Sequence, residues 1–234
     1  MKKTLLSLCF GFFSVFSFAQ IGITAGYTSL EAPEWEFQFQ QEFGTETQLL
    51  ANGNRVGINY WLRLKKIRLE FFPSIEYANY RSQIGAFVTA TQDQTIYSAR
   101  FIGGFFHTRA YLFDLVNDCN CPTFSKQNET FKKGFFVQLS PGYEFFNTDV
   151  RIRTEDVTTE SSAADSRLSL GASIGLDIGI SDFLTLTPMV GASYLSDVDG
   201  DHLMSNRAVG DDFSNIYQFF AGINVGLRFE KSRY

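Results

Sequence analysis

From Ile216 to Glu230 the chain alternates with a period of two, interrupted only by apolar Ile216 and Phe220. Tyr217, Phe219, Ala221, Ile223, Val225, Leu227 and Phe229 make one apolar row, interleaved with Gln218, Gly222, Asn224, Gly226, Arg228 and Glu230. Successive side chains of a strand leave opposite faces, so this period predicts a strand with one greasy and one polar, glycine-rich face. Its fifteen residues exceed the roughly 5–6 of an ordinary strand. The same pattern recurs upstream, over Ile21–Leu30, Arg55–Leu64, Ile67–Tyr77, Phe135–Phe145, Leu168–Ile180 and Leu184–Tyr194. A further strand, about Thr95–Phe113, loses its phase beyond Gly103-Gly104, where adjacent glycines predict a bulge that shifts the register by one.

Eight strands result, and the segments between them alternate in length. Glu31–Gly53, Arg81–Asp93, Asn147–Ser166 and Ser196–Ser214 read as long polar loops, whereas Lys65-Lys66 and Ser181-Asp182 read as two-residue turns. Asp114–Lys133 is an irregular connection. Short turns on one side and long loops on the other, with an even strand number, fit a bilayer-spanning barrel. The positions opposite the apolar row are Gly, Ser, Thr, Arg and Glu, too polar for the apolar pocket of a soluble lipocalin-like barrel. The fold class predicted is all-β: an eight-stranded antiparallel up-and-down transmembrane β-barrel with a filled interior.

Met1–Ala19 reads as a cleaved signal peptide, with Lys2 and Lys3 before an apolar core and small residues Ser17 and Ala19 at the cleavage site. Residues 20–234 then form the barrel domain, exported to the bacterial outer membrane. Composition agrees: 44% hydrophobic residues suit a wall in which alternate side chains meet lipid, and 26 Phe with 10 Tyr could supply aromatic girdles. The net charge of −5 is spread without a basic cluster, so nucleic acid is not expected as a partner.

Two features carry a resemblance. The segment Asn224-Val-Gly226-Leu-Arg-Phe229 is similar to the C-terminal insertion signal of outer-membrane barrels, with Lys231 where the second aromatic would stand. The signal peptide ending Phe-Ala-Gln and the barrel-only length resemble the small PorT-like outer-membrane β-barrel proteins of the Bacteroidota, whose architecture is also that of the OmpA transmembrane domain. The resemblance implies contact with outer-membrane lipid, the barrel-assembly machinery during insertion, and other envelope or secretion-complex proteins as possible partners. It carries no shared catalytic motif.

Alternation assigns Arg55, Arg63, Arg68, Arg100, Arg167 and Arg228, with Glu70, Glu76, Glu144, Asp177 and Glu230, to the interior. Near balance of charge there suits an ion-pair network, because an eight-stranded barrel is just wide enough for its side chains. The other reading is a narrow ion or proton path. Cys119 and Cys121 fall in the long turn, where a local disulfide, an intermolecular bridge or partner contact, and redox chemistry all remain open. No cofactor is expected, and no metal site, since the cysteines have no nearby histidine. His107 reads as an interior hydrogen-bonding residue. A nucleophilic site is conceivable in the last loop, where His202 lies near Asp199, Asp201 and Ser205. The expectation is a non-enzymatic barrel acting through loops or turns, as an accessory subunit of an envelope complex or as a structural or adhesive protein. The alternatives are a lipid-A-modifying hydrolase and a secreted soluble binding barrel.

Overall fold

The structure, a computed structural model, describes residues 20–37, 52–63, 69–86, 93–113, 134–153, 158–181, 183–199 and 213–228. Eight strands make one sheet: β1 (Gln20–Glu31), β2 (Asn52–Arg63), β3 (Leu69–Ala86), β4 (Asp93–Ala110), β5 (Phe135–Arg153), β6 (Thr158–Leu176), β7 (Leu184–Asp199) and β8 (Phe213–Arg228). Ile178–Gly179 continues β6 beyond a break at Asp177. Every strand runs antiparallel to its neighbours in sequence, and β1 pairs with β8 from Gln20↔Arg228 to Glu31↔Tyr217, which closes the barrel.

The outward row is apolar and exposed: Ile23 is 57% exposed, Ile58 64%, Ile75 67% and Leu168 75%. On β8 this row runs from Tyr217 to Leu227. Ten steps of about 3.4 Å, tilted roughly 40°, give a band about 26 Å tall, the height of a barrel's lipid-facing belt. Exposed Tyr27, Tyr77, Tyr143, Phe145, Tyr194 and Tyr217 lie toward its loop side, and Phe113 and Phe183 toward its turn side. Among the described residues no helix is long and apolar enough to cross a membrane.

Beyond the band, the two faces exchange character. On β3 the outward row passes from Ile75 and Tyr77 to Asn79 and Arg81, while the inward row passes from Ser74 and Glu76 to buried Ala78 and Tyr80. On β5 the change falls between Phe145, outward, and Phe146, inward and buried. In lipid the greasy face must point out; in water the same wall must turn its greasy face in. The result is a second core, of soluble type, inside the loop-side end: Leu30, Ala32, Trp35, Ala78, Tyr80, Tyr97, Ala99, Phe101, Phe146, Val150, Leu195, Val198 and Ile216.

This exchange corrects the expectation for β4. No bulge occurs at Gly103-Gly104; the β3–β4 register runs unbroken from Leu69↔Ala110 to Ala86↔Asp93. The strand crosses there from the watery core into the bilayer belt, which imitates a phase shift in sequence. Tyr97, Ala99 and Phe101 point inward, so Arg100 points outward and pairs with Asp149 at 2.7 Å on the surface. A real bulge lies in β7 between Leu195 and Val198, with Asp197 at φ 53°, a conformation uncommon for a non-glycine residue. The expected loops 81–93 and 147–166 are largely strand, because β3, β4, β5 and β6 continue well past the band as a projecting wall.

Candidate functional site

Inward side chains of the band form two polar layers. In the turn-side layer, Asp177 accepts from Arg109 Nη1 (3.2 Å), from Thr187 Oγ1 (2.6 Å) and from the Tyr111 hydroxyl, which also lies 2.7 Å from Glu70 Oε2. The Arg109 guanidinium is sandwiched between the Phe72 ring at 4.2 Å and the Phe136 ring at 3.8 Å, and donates to Gln138 Oε1 through Nη2 (3.1 Å). Asp177 continues the inward row of Gly171 and Ser173, and that alternation places its carboxylate in this layer.

The second layer centres on Glu76. Its carboxylate pairs with Arg55 Nε, accepts from the Ser74 hydroxyl (3.0 Å), and faces His107 Nε2 at 2.8 Å. His107 Nδ1 lies 2.7 Å from Ser140 Oγ, which in turn accepts from Gln138 Nε2 at 3.2 Å. Toward the loop side, Gln218 Nε2 donates to Glu144 Oε2 (3.2 Å). Burying these charges is tolerable because each meets an opposite charge or a hydrogen-bonding partner. The Arg55 guanidinium also sits over Phe105 and Phe220, at 5.1 and 4.9 Å.

Ser140, His107 and Glu76 have the residue types of a nucleophilic triad, but space argues against that chemistry. The cavity lined by Arg55, Glu76, His107, Arg109 and Ser140 measures about 30 Å³, room for two or three waters and for no substrate. The same layer argues against a proton wire. Between Asp177 and Ser140 the chain of contacts runs through Arg109, permanently charged, and the Gln138 amide, neither of which relays protons readily. Among the described residues no group of His, Cys, Asp and Glu could hold a metal.

The loop-side mouth is stopped from above. After β1, residues 33–37 make one helical turn opened by Pro33, a residue suited to a first helical position. This turn lowers Trp35, 1% exposed, into the second core. Glu34 latches it to β8, accepting from Ser214 Oγ (2.6 Å), the Asn215 backbone N–H (3.1 Å) and Asn215 Nδ2 (3.3 Å). Partial burial pushes the Glu34 carboxyl pKa up, but the Ser214 and Asn215 hydrogen bonds outweigh this and hold it below the usual carboxylate value. A depressed folded-state pKa stabilises fully above the unfolded value, and that stabilisation is lost as pH falls through the folded one. Glu34→Gln should therefore lower the unfolding midpoint at neutral pH. The gap from wild type should close in acid, as read by urea titrations across pH; a gap independent of pH would sink the latch.

Of the sequence-predicted interior residues, Arg55, Glu70, Glu76, Glu144 and Asp177 do lie inside and buried. Arg100 lies outside, as described. Arg167 is half-exposed at the rim, pairing with Asp165 (2.7 Å) and donating to the Asp197 carbonyl (3.0 Å), away from the interior layers. The wall splits there, as β6 meets β7 only from Ser169↔Leu195 onward. Arg63 and Arg228 lie on strands, but their side chains are outside the described residues, as are Arg68, Glu230, Phe229, Cys119, Cys121, His202 and Ser205. Alternation missed Arg109 and Tyr111 because the β4 phase was lost at the glycines, whereas Gln138 on β5 falls on the polar face that alternation gives it. Counting down β4 in steps of two from His107, read as interior, reaches Arg109 and Tyr111 and would have found both.

Within the C-terminal segment, Asn224 is buried and Gly226 faces inward opposite Gly22. A Cβ on Gly226 would meet nothing closer than 3.9 Å, whereas one on Gly26 would strike the Ala221 carbonyl at 2.6 Å and Gly222 Cα at 2.7 Å. Gly26→Ala should thus destabilise the β1–β8 seam, while Gly226→Ala should leave the urea midpoint of the folded barrel nearly unchanged. If Gly226 serves insertion, its alanine variant will instead slow assembly into membranes, measured by the rate at which heat-resistant barrel accumulates.

No family model matches the chain, and no curated protein matches it. Solved structures do. A major outer membrane protein from Thermus thermophilus superposes with TM-score 0.51 at 9% identity, covering 90% of this chain and 99% of that one. Ail, the attachment invasion locus protein of Yersinia pestis, solved in complex with the heparin analogue sucrose octasulfate, gives TM-score 0.47 at 10% identity, over 89% and 98%. The N-terminal β-barrel domain of Pseudomonas aeruginosa OprF gives 0.38 at 11% identity, over 90% and 97%. The Thermus likeness is one of fold: a closed antiparallel barrel of outer-membrane type.

Proposed function

We propose that this chain is a non-enzymatic protein of the bacterial outer membrane, delivered there by the signal peptide 1–19, whose work is done by its outer surfaces. The observation that carries the reading is the sealed interior: two polar layers leave about 30 Å³, and Trp35 stops the mouth. Among the described residues, a barrel filled in this way leaves no interior lumen to conduct and no interior room for a substrate. What it offers instead is the projecting wall of β3–β6. Among the described residues, Thr158–Leu168 pair only with β5, so this margin of the wall carries a one-sided ladder. One-sided ladders are templates for an extended segment of another protein.

An accessory subunit of an envelope or secretion complex, as the PorT-like resemblance implies, uses such a margin better than a free-standing structural or adhesive protein does. The Cys119–Cys121 turn is a second contact point in this reading. Native electrophoresis of gently solubilised membranes, with reductant and without, tests it. A stoichiometric assembly lost on replacing Thr158–Leu168 by a proline-bearing segment supports the accessory subunit. A monomer under every condition leaves the free-standing protein. Ion conductance in planar bilayers would overturn the sealed-interior argument itself.

A further inference from the structure

Three prolines stand within barrel strands and face outward: Pro73 on β3, Pro141 on β5 and Pro188 on β7. Proline has no N–H to give a ladder, and a closed barrel offers no edge on which to hide it. Each proline keeps its pairing with the following strand, at Pro73↔Phe106, Pro141↔Leu170 and Pro188↔Ile223. Pairing with the preceding strand is interrupted in all three. The β2–β3 register skips from Asn59↔Ser74 to Leu62↔Phe71, β4–β5 from Phe105↔Gly142 to Thr108↔Leu139, and β6–β7 from Gly175↔Met189 to Ile178↔Leu186.

The register is the same on both sides of each gap, so the skipped positions are fixed. Outward they are Tyr60 with Pro73, Phe106 with Pro141 and Leu176 with Pro188. Inward they are Trp61 with Phe72, His107 with Ser140 and Asp177 with Thr187. Each inward pair touches directly: the Trp61 and Phe72 rings stack at 5.4 Å, His107 Nδ1 lies 2.7 Å from Ser140 Oγ, and Thr187 Oγ1 donates to Asp177 Oδ1 at 2.6 Å. The β1–β8 seam supplies the contrast. Its ladder is unbroken, no proline interrupts it, and the inward pair Gly22↔Gly226 has no side chains to join.

We infer that each inward pair is a staple standing in for the rung its proline deletes, so that three of the four turn-side seams are fastened from within the barrel. Ser140, His107, Asp177 and Thr187 are then wall-fastening residues before they are anything else. The staple and the rung are alternatives, which makes the inference testable by coupling. Ser140→Ala, Pro141→Val and the double variant would be refolded into lipid vesicles and unfolded in urea, with Thr187→Val and Pro188→Val as an independent second set. Ser140→Ala should lower the midpoint. In the Pro141→Val background, which restores an N–H, the same change should cost less than half as much, and the new backbone amide at position 141 should resist hydrogen exchange. Equal losses in both backgrounds, at either seam, or a new amide that exchanges freely, would overturn it. Should one variant fail to fold, the other seam still decides.

Discussion

Replacing Arg109 by methionine should cost about 3–5 kcal/mol, because it strands a buried carboxylate. Asp177 would keep its hydrogen bonds from Thr187 and Tyr111 but lose its cation at 3.2 Å, in a layer where Asp177 is 2% and Arg109 3% exposed. The aromatic sandwich of Phe72 and Phe136 would lose its charge partner as well, adding to the cost through cation–π attraction. The double variant Arg109→Met, Asp177→Asn should recover much of the loss, since removing both charges of a buried pair is often close to neutral. Urea unfolding of the vesicle-embedded barrel measures all three. A loss under about 1 kcal/mol for the single variant would show that Asp177 is stabilised without Arg109, as a solvated group would be.

The barrel itself was legible from alternation because a strand in lipid repeats one simple rule over ten or more residues. Strand number, the β1–β8 closure and the inward placing of Arg55, Glu76 and Asp177 all follow from it. What alternation cannot reveal is where the bilayer stops. Tyr97, Ala99 and Phe101 are apolar and so read as lipid-facing, yet they line a watery-end core, and Arg100 between them is outside. The polar segments 147–153 and 158–166 read as loop because small and charged residues dominate them, although as strands they need only a partner ladder and a greasy inner neighbour such as Val150. Prolines 73, 141 and 188 were visible in the lipid-facing rows, but the consequence, a side-chain pair directly behind each, depends on cross-strand register, which is a property of pairs of strands.

Trp35→Ala tests whether the two ends of the barrel are energetically separate. Trp35 is fully buried in a core built from Leu30, Tyr80, Tyr97, Phe101 and Ile216, so deleting the indole should cost about 3–5 kcal/mol, transfer and cavity terms together. That core stands beyond the lipid belt, however, and shares no residue with the Tyr111, Phe136 and Met189 cluster at the turn-side end. Amide exchange should therefore accelerate around Tyr80, Tyr97 and Phe146 while the strands flanking Arg109 and Gln138 keep their protection. Trp61, stacked on Phe72 at 5.4 Å, is the second of the chain's two tryptophans and remains as a fluorescent reporter of the turn-side layer. Its emission should be unmoved. No conductance should follow either, because opening the mouth leaves the Arg109 layer, with Phe72 and Phe136 on either side, closed beneath it. Exchange that quickens uniformly along the strands would mean the stopper at the mouth and the belt below it unfold as one unit.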